Sequence, residues 1–235
     1  MDPRTREGGG ADADFDSRAF FDRAAASYDD TMDTASNRQL RQRVRELLAQ
    51  YSPGTGAVLD FGCGTGADVA GFLDQGRRVL AYEPSSQMLA RLRSRYGDAV
   101  RAQRVVPVSG EWADLYAGLA DFDPIRAVVA NFGVINHLPQ LAIFTDLVVS
   151  RLPSLQAVIL GVQNPHYIRD MGHGWWWRGL WAGRGQGAVL CEGSAVKTRR
   201  YFIRTLIAAL APVFQLRASS YAWAPMRVLA FERVA

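Results

Sequence analysis

The sequence has few of the residues that build disulfide frameworks and metal centres. Its 235 residues include only two cysteines, Cys63 and Cys191, and three histidines. No Cys-x-x-Cys pair and no His-Glu-x-x-His motif occurs, and the histidines show no metal-binding spacing, so we expect no metal cofactor. Two cysteines also disfavour a disulfide framework, and a reducing cytoplasm is the simplest compartment for such a chain.

Long apolar runs are also absent. No run reaches the roughly 18 residues that would indicate a membrane span, so no integral membrane segment is expected. The first ten residues, Met1–Gly10, have no apolar centre and do not resemble a secretion signal. We expect residues 1–15 to be a disordered lead and residues 16–235 to form a single domain. Its 49% hydrophobic content is sufficient for a substantial core.

Lysine is almost missing, since Lys197 is the only one, and the basic charge comes from arginine. The formal net charge is +4 and the isoelectric point is about 9.3. An anionic partner would be one explanation of this charge. The arginines, however, are spread along predicted helices without a long block, which favours solvated helix faces over a nucleic-acid surface.

The most informative segment present is Val58–Gly66, in which a short apolar run leads into three glycines at alternate positions. Gly62, Gly64 and Gly66 permit a tight turn and a close approach of a ligand to the main chain. A helix predicted from Ala67 would direct its first N–H groups at that ligand. Glu83 ends the next apolar run, where an acidic side chain can accept hydrogen bonds from ribose hydroxyls. The segment therefore predicts a nucleoside ligand.

Strand and helix patterns alternate as a parallel doubly wound sheet requires. Helices are predicted near residues 37–50, 68–75, 85–96, 138–151 and 198–211. Strands are predicted at residues 57–60, 79–83, 104–108, 127–130 and 157–162, followed by two extended runs at 214–221 and 227–234.

Dinucleotide-binding loops read G-x-G-x-x-G, whereas this loop reads D-F-G-C-G-T-G from Asp60 to Gly66 and resembles the cofactor loop of class I S-adenosylmethionine (SAM)-dependent methyltransferases. Three further segments, Phe20–Asp29, Pro84–Leu89 and Asn131–Leu138, resemble small-molecule methyltransferases related to the ubiquinone and menaquinone C-methylases. The resemblance covers residues from about 20 to 235. It implies a Rossmann-like, doubly wound α/β sheet of seven strands with the last strand antiparallel.

The resemblance also implies SAM as methyl donor and S-adenosylhomocysteine as product. The Asp60 carboxylate or nearby carbonyls would then be partners for the methionine ammonium, and Met88 would pack near the adenosine. After the third strand, Glu-Trp stands where the family commonly has Gly-Asp-Ala, so the adenine contact there departs from the pattern. The predicted cofactor-binding residues are Tyr28, Asp60, Gly62, Cys63, Gly64, Gly66, Glu83, Pro84, Met88, Glu111, Trp112, Asn131 and Phe132.

The binding site for the methyl acceptor is predicted to involve an aromatic-rich insertion at about residues 166–196. We interpret this insertion as a cap over the methyl-transfer site. Packing at the sheet edge and contact with a partner or membrane surface are the alternatives. His137 follows the fourth strand and is the preferred catalytic base, although a purely packing histidine fits the same position. The predicted substrate-binding residues are His166, His173, Trp175, Trp176, Trp177 and Trp181.

We therefore expect methyl transfer from SAM to an oxygen or nitrogen of a small, apolar or aromatic metabolite, with specialised metabolism as one setting. Asn131–Val134 replaces the Asn-Pro-Pro-Tyr segment of nucleic-acid amino-methyltransferases, so a nucleic-acid substrate is disfavoured. C-methylation of a quinone-like substrate, a catalytically silent SAM-binding protein and a nicotinamide-dependent dehydrogenase are the alternatives. The oligomeric state stays open, with a homodimer as one option.

Overall fold

The structure, a computed structural model, describes residues 17–191 and 196–234. The lead predicted at residues 1–15 lies outside the described residues. A seven-stranded sheet with the order β3-β2-β1-β4-β5-β9-β8 forms the centre of the molecule. Its strands are β1 (Ala57–Phe61), β2 (Val79–Tyr82), β3 (Val105–Val108), β4 (Ile125–Ala130), β5 (Ala157–Gln163), β8 (Phe214–Ser220) and β9 (Met226–Arg233).

The chain direction within the sheet confirms the expected topology. Strands β1 to β5 pair in parallel, for example through Val58 with Val79 and Leu59 with Val128. The last strand, β9, is antiparallel to both of its neighbours, β5 and β8. Pro107 lies in β3, which is an edge strand, where a missing backbone donor is tolerated. This is the Rossmann-like sheet that the sequence predicts.

Helices cover both faces of the sheet, and one hydrophobic cluster lies on each side. The predicted 3.6-residue periodicity near residues 37–50 corresponds to α3, which buries Leu40, Val44 and Leu47 and is capped by Thr34. The helices are α1 (Arg18–Ala24), α2 (Tyr28–Met32), α3 (Ala35–Tyr51), α4 (Val69–Asp74), α5 (Ser86–Arg95), α6 (Gly97–Arg101), α7 (Trp112–Ala120), α8 (Leu141–Asp146), α9 (Ile168–Met171), α10 (Gly174–Ala182) and α11 (Ile203–Leu210). No helix in the described ranges is long and apolar enough to cross a membrane.

The helix predicted over residues 198–211 is partly wrong, because its first residues form a strand. Strand β7 (Thr198–Tyr201) pairs antiparallel with β6 (Ala188–Cys191) in a separate two-stranded sheet, and α11 begins only at Ile203. The sequence analysis did not predict β6. Thr198 and Tyr201 are buried by this pairing, so tertiary packing rather than local pattern decides the strand.

The insertion is rich in glycine and nevertheless contains a regular helix, α10. A Cβ added to Gly179 would lie 2.0 Å from the carbonyl oxygen of Leu190, and one added to Gly183 would lie 2.0 Å from that of Ala188. The glycines thus let α10 and the turn that follows it approach the backbone of β6. They provide close helix–strand packing rather than an irregular loop.

Candidate active site

A cavity of about 450 Å³ opens at the carboxyl ends of β1, β2 and β4. The order of the strands reverses between β1 and β4, which is where ligands bind in open α/β sheets. The cavity is large enough for a cofactor-sized ligand. Twelve residues proposed from the sequence line it: Tyr28, Gly62, Cys63, Gly64, Glu83, Pro84, Met88, Glu111, Trp112, Asn131, Phe132 and His137.

The glycine turn forms one wall of this cavity. Gly62, Gly64 and Gly66 have φ angles of 75°, 55° and 80°, in the left-handed region that favours glycine. A Cβ at Gly62 would lie 2.5 Å from the Val134 side chain, so the turn also packs closely against the segment after β4. Gly66 has a supporting role and does not line the cavity.

Glu83 connects the glycine turn to the next helix. One of its carboxylate oxygens accepts a hydrogen bond from the N–H of Gly64 at 3.0 Å, and the other accepts one from the N–H of Ser85 at 3.0 Å. Burial raises the pKa of Glu83. Each oxygen can accept a second hydrogen bond, so the side chain lining the cavity can still serve a ribose hydroxyl.

A polar cluster that the sequence analysis missed lies beside the turn. The Oδ2 atom of Asp68 accepts a hydrogen bond from Nδ2 of Asn131 at 2.9 Å and pairs with Nη1 of Arg41 at 3.2 Å. The Arg41 guanidinium also lies 4.3 Å from the centre of the Phe132 ring. Asp68 follows the glycines by two residues, which is the signal that could have identified it. Arg41 on α3 carries no comparable local signal.

Two buried carboxylate oxygens beside the turn lack a hydrogen-bond partner among the described residues: Oδ1 of Asp68 and Oδ2 of Asp60. Asp60 itself does not line the cavity. Burial raises the pKa of Asp60 well above its usual range, and the nearby Asp68 carboxylate raises it further. Unpaired buried acceptors are costly, so this region is suited to a cationic group that donates hydrogen bonds.

The N-terminal segment closes another side of the cavity with Phe21 and Tyr28. Asp22 anchors α1, since its Oδ1 accepts hydrogen bonds from Oγ of Ser85 at 2.6 Å and from the N–H of Gln87 at 3.2 Å. Asp29 anchors α2 by accepting a hydrogen bond from Thr65. Along the segment Phe20–Asp29, aromatic residues that line the cavity thus alternate with carboxylates that anchor the helices.

Trp112, which is proposed to lie near adenine, forms an aromatic wall with Phe61 and Tyr82. The Trp112 ring lies 5.5 Å from the Phe61 ring and 6.0 Å from the Tyr82 ring, as measured between ring centres. Glu111 is engaged elsewhere, because its carboxylate pairs with Arg18 of α1 at 2.7 Å. This ion pair links α1 to α7 beside the cavity. The Trp112 ring is therefore available to a ligand in the cavity, whereas the Glu111 carboxylate already has a partner.

His137 ends a 3-10 turn, Val134–His137, directly after β4. Its ring lies edge-to-face against Phe21 with 5.5 Å between ring centres. Burial lowers the pKa of His137 to about 4, so the imidazole is neutral at physiological pH. Its Nδ1 atom is buried and has no hydrogen-bond partner among the described residues. The residue itself lines the cavity, and a neutral imidazole carries one acceptor nitrogen and one N–H donor.

The structure does not bring the proposed substrate-binding residues of the insertion into this cavity. None of them is among the described residues that line it: His166, His173, Trp175, Trp176, Trp177 and Trp181. Trp176 is buried, and its Nε1 donates a hydrogen bond to the carbonyl of Pro165 at 2.7 Å. The close packing of α10 on β6 holds these aromatic residues in a module of their own beside the cavity.

Comparison with known proteins gives a family match for part of the chain and a shared fold for most of it. Residues 58–148, which contain the glycine turn, Glu83, Asn131 and His137, match the model of a family described as a methyltransferase domain. No curated protein matches the chain significantly in sequence. With its seven-stranded sheet and reversed last strand, the chain has the fold of class I SAM-dependent methyltransferases, and its residues 58–148 match the methyltransferase-domain family.

Three solved structures illustrate the shared fold. The 1,6-didemethyltoxoflavin-N1-methyltransferase of Burkholderia thailandensis is 18% identical, with a TM-score of 0.58 over 92% of this chain and 88% of that one. The N-methyltransferase NodS of Bradyrhizobium japonicum is 13% identical, with a TM-score of 0.60 over 93% and 99%. The magnesium protoporphyrin IX methyltransferase of Synechocystis PCC 6803 is 15% identical, with a TM-score of 0.60 over 94% and 97%. All three were solved with bound S-adenosylhomocysteine.

Proposed function

We propose that the protein methylates a hydroxyl or a weakly basic nitrogen of a small, apolar or aromatic metabolite. The environment of His137 is the observation that carries this proposal. The cavity is lined by the neutral imidazole of His137 and by the apolar side chains of Phe21, Leu138 and Pro139. A ligand that fits here is largely apolar and donates one hydrogen bond to His137.

The cofactor, when bound, supplies a methyl group on a positively charged sulfur. The methionine ammonium fits the carboxylate of Asp68, which lines the cavity, with the nearby Asp60 carboxyl adding negative charge when ionised, and Arg41 is suited to the methionine carboxylate. Glu83 would hold the ribose, while Met88 and Trp112 would pack near the adenine. These assignments leave the region around Phe21 and His137 for the acceptor.

The low pKa of His137 indicates which classes of acceptor this weak base can deprotonate. With a pKa of about 4, the imidazole cannot take a proton from an alkylammonium, whose pKa is near that of lysine. An oxygen that gains a methyl group becomes strongly acidic until it loses its proton, so even a weak base suffices. A hydroxyl, or a nitrogen that is neutral at physiological pH, is therefore favoured. Positioning and exclusion of water supply much of the remaining catalysis.

We also infer that residues 16–235 act as one domain, because both hydrophobic clusters pack on the same sheet. Cys63 and Cys191 are free, buried thiols, which supports the proposal of a reducing, cytoplasmic location. The insertion would contribute to acceptor binding only if it moves towards the cavity.

Incubation of candidate phenols, alcohols and heteroaromatic amines with methyl-labelled SAM, followed by mass spectrometry of the products, tests the proposal. Label on oxygen or nitrogen is expected. Label on carbon would support the C-methylase alternative. Calorimetric binding of S-adenosylhomocysteine without turnover of any acceptor in cell extracts would instead indicate a silent SAM-binding protein.

A further inference from the structure

A surface of the insertion combines exposed apolar side chains with arginine. We call it the aromatic–arginine face and define it by Ile168, Trp177, Arg178, Trp181 and Arg184. Trp177 is 58% exposed, Trp181 is 72% exposed and Ile168 is 70% exposed. Trp177 and Trp181 are four residues apart on α10 and so lie on the same side of that helix. Three large apolar side chains thus remain exposed within one module.

This face is held together by specific contacts. Nε1 of Trp177 donates a hydrogen bond to the carbonyl of Met171 at 3.1 Å, which connects α10 to α9, the helix that carries Ile168. The guanidinium of Arg184 lies 4.1 Å from the centre of the Trp181 ring. Trp181 is therefore held beside a cation while its ring stays largely exposed.

The charge of the face has one sign. Residues 171–191 contain no aspartate or glutamate, whereas Arg178 and Arg184 are both exposed. The neighbouring acid, Asp170, is neutralised by an ion pair with Arg200. The exposed tryptophans are thus accompanied by positive charge without an accessible counter-charge in this stretch.

We propose that the aromatic–arginine face docks peripherally on an anionic lipid surface. Tryptophan is favoured at the boundary between headgroups and acyl chains, and arginine forms bidentate contacts with phosphate. Anionic lipids attract such cations, and this attraction adds to the burial of the indole rings. A second copy of this chain fits less well, because a two-fold interface would place the arginines of both faces close together.

Docking would place the acceptor side of the cavity near the lipid. Strand β7, which pairs with β6 of the insertion, contacts the turn that carries His137: Nδ2 of Asn136 donates to the carbonyl of Arg199 at 2.6 Å, and Nη1 of Arg199 donates to the carbonyl of Leu138 at 3.1 Å. Leu138 lines the cavity. The inference goes beyond the proposed function and does not depend on which atom is methylated.

Sedimentation with vesicles tests the docking directly. The full-length protein is mixed with vesicles of phosphatidylglycerol or of phosphatidylcholine, and the bound fraction is measured at low and at high salt. We expect binding to phosphatidylglycerol that weakens with salt, and at least about tenfold weaker partitioning for the double variant Trp177→Ser/Trp181→Ser and for Arg178→Glu. Lipids brominated on their acyl chains should quench part of the tryptophan fluorescence of the wild type but not of the double variant.

The matched control is Arg91→Glu, which makes the same charge change on the exposed side of α5. It should bind vesicles nearly as well as the wild type. Circular dichroism and calorimetry with S-adenosylhomocysteine would show that each variant is folded. The proposal is overturned if the wild type ignores phosphatidylglycerol vesicles, or if Arg91→Glu loses as much binding as Arg178→Glu. It is also overturned if the double variant binds vesicles as the wild type does and instead dissociates a dimer in analytical ultracentrifugation.

Discussion

Nη1 of Arg41 lies 3.2 Å from Oδ2 of Asp68, and this ion pair joins α3 to the segment just after the glycine turn. Both side chains are mostly buried, at 14% and 8% exposure. The pair therefore places two opposite charges at one end of the cavity, where the two charged groups of a methionine tail require partners of both signs.

Asp68→Asn should weaken S-adenosylhomocysteine binding by about 1.5 to 3 kcal/mol, because it removes a charge-assisted contact and leaves Arg41 without its counter-charge. Isothermal titration calorimetry measures the loss. Asp74→Asn, on the exposed side of α4, is the matched control and should bind normally. Equal affinity of the Asp68 variant and the wild type would remove Asp68 from the binding site.

Asp60 should make the ligand-free protein less stable as the pH rises. Its folded-state pKa is raised by burial, so its contribution to stability is fully present below its unfolded pKa and is lost as the pH rises through the folded value. Relative to Asp60→Asn, the free energy of unfolding of the wild type should fall by up to about 1.4 kcal/mol per pH unit in that window.

Urea unfolding of both proteins between pH 4.5 and 8 measures this difference. Saturating S-adenosylhomocysteine should flatten it, because the ligand's ammonium gives the carboxylates a partner. A difference that does not change with pH would mean that Asp60 is already ionised in the folded, ligand-free protein.

His137→Ala should leave S-adenosylhomocysteine affinity within about twofold of the wild type while turnover falls roughly a hundredfold. His137→Gln is the informative comparison, because an amide oxygen accepts a hydrogen bond but not a proton. Since the pKa of His137 is about 4, its protonation should reduce the wild-type rate only as the pH falls towards that value, with no inflection from His137 between pH 6 and 8.

Steady-state kinetics with an identified acceptor measure these effects. Full activity of His137→Gln would make the histidine a positioning residue. Full activity of His137→Ala would reduce it to packing against Phe21.

Gly179→Ala should destabilise the protein by about 1 to 3 kcal/mol, because the added methyl group would lie 2.0 Å from the carbonyl oxygen of Leu190. Gly185→Ala is the matched control: a Cβ there has no neighbour within 4 Å, so we expect a change within about 0.5 kcal/mol. Urea unfolding measures both. Similar stability of the two variants would show that α10 can move away from β6 at little cost.

The sequence by itself determined the parallel sheet, the glycine turn and the position of Glu83. These features are local: apolar runs of strand length, left-handed glycines and an acid at a strand end each constrain the backbone within a few residues. The reversed last strand, β9, came from the resemblance to a family rather than from periodicity, because strand direction in a sheet leaves no local pattern.

Only the tertiary structure decided which distant residues meet. Arg41 reaches Asp68 from a helix that precedes the glycine turn, and Asn131 completes the cluster from the position just after β4, so no spacing within one segment could reveal the cluster. The insertion is a second case in which the local sequence pattern does not reveal which residues meet. Its glycines allow α10 to pack on β6, a strand that the sequence pattern did not predict, and Trp177 and Trp181 remain exposed outside the cavity.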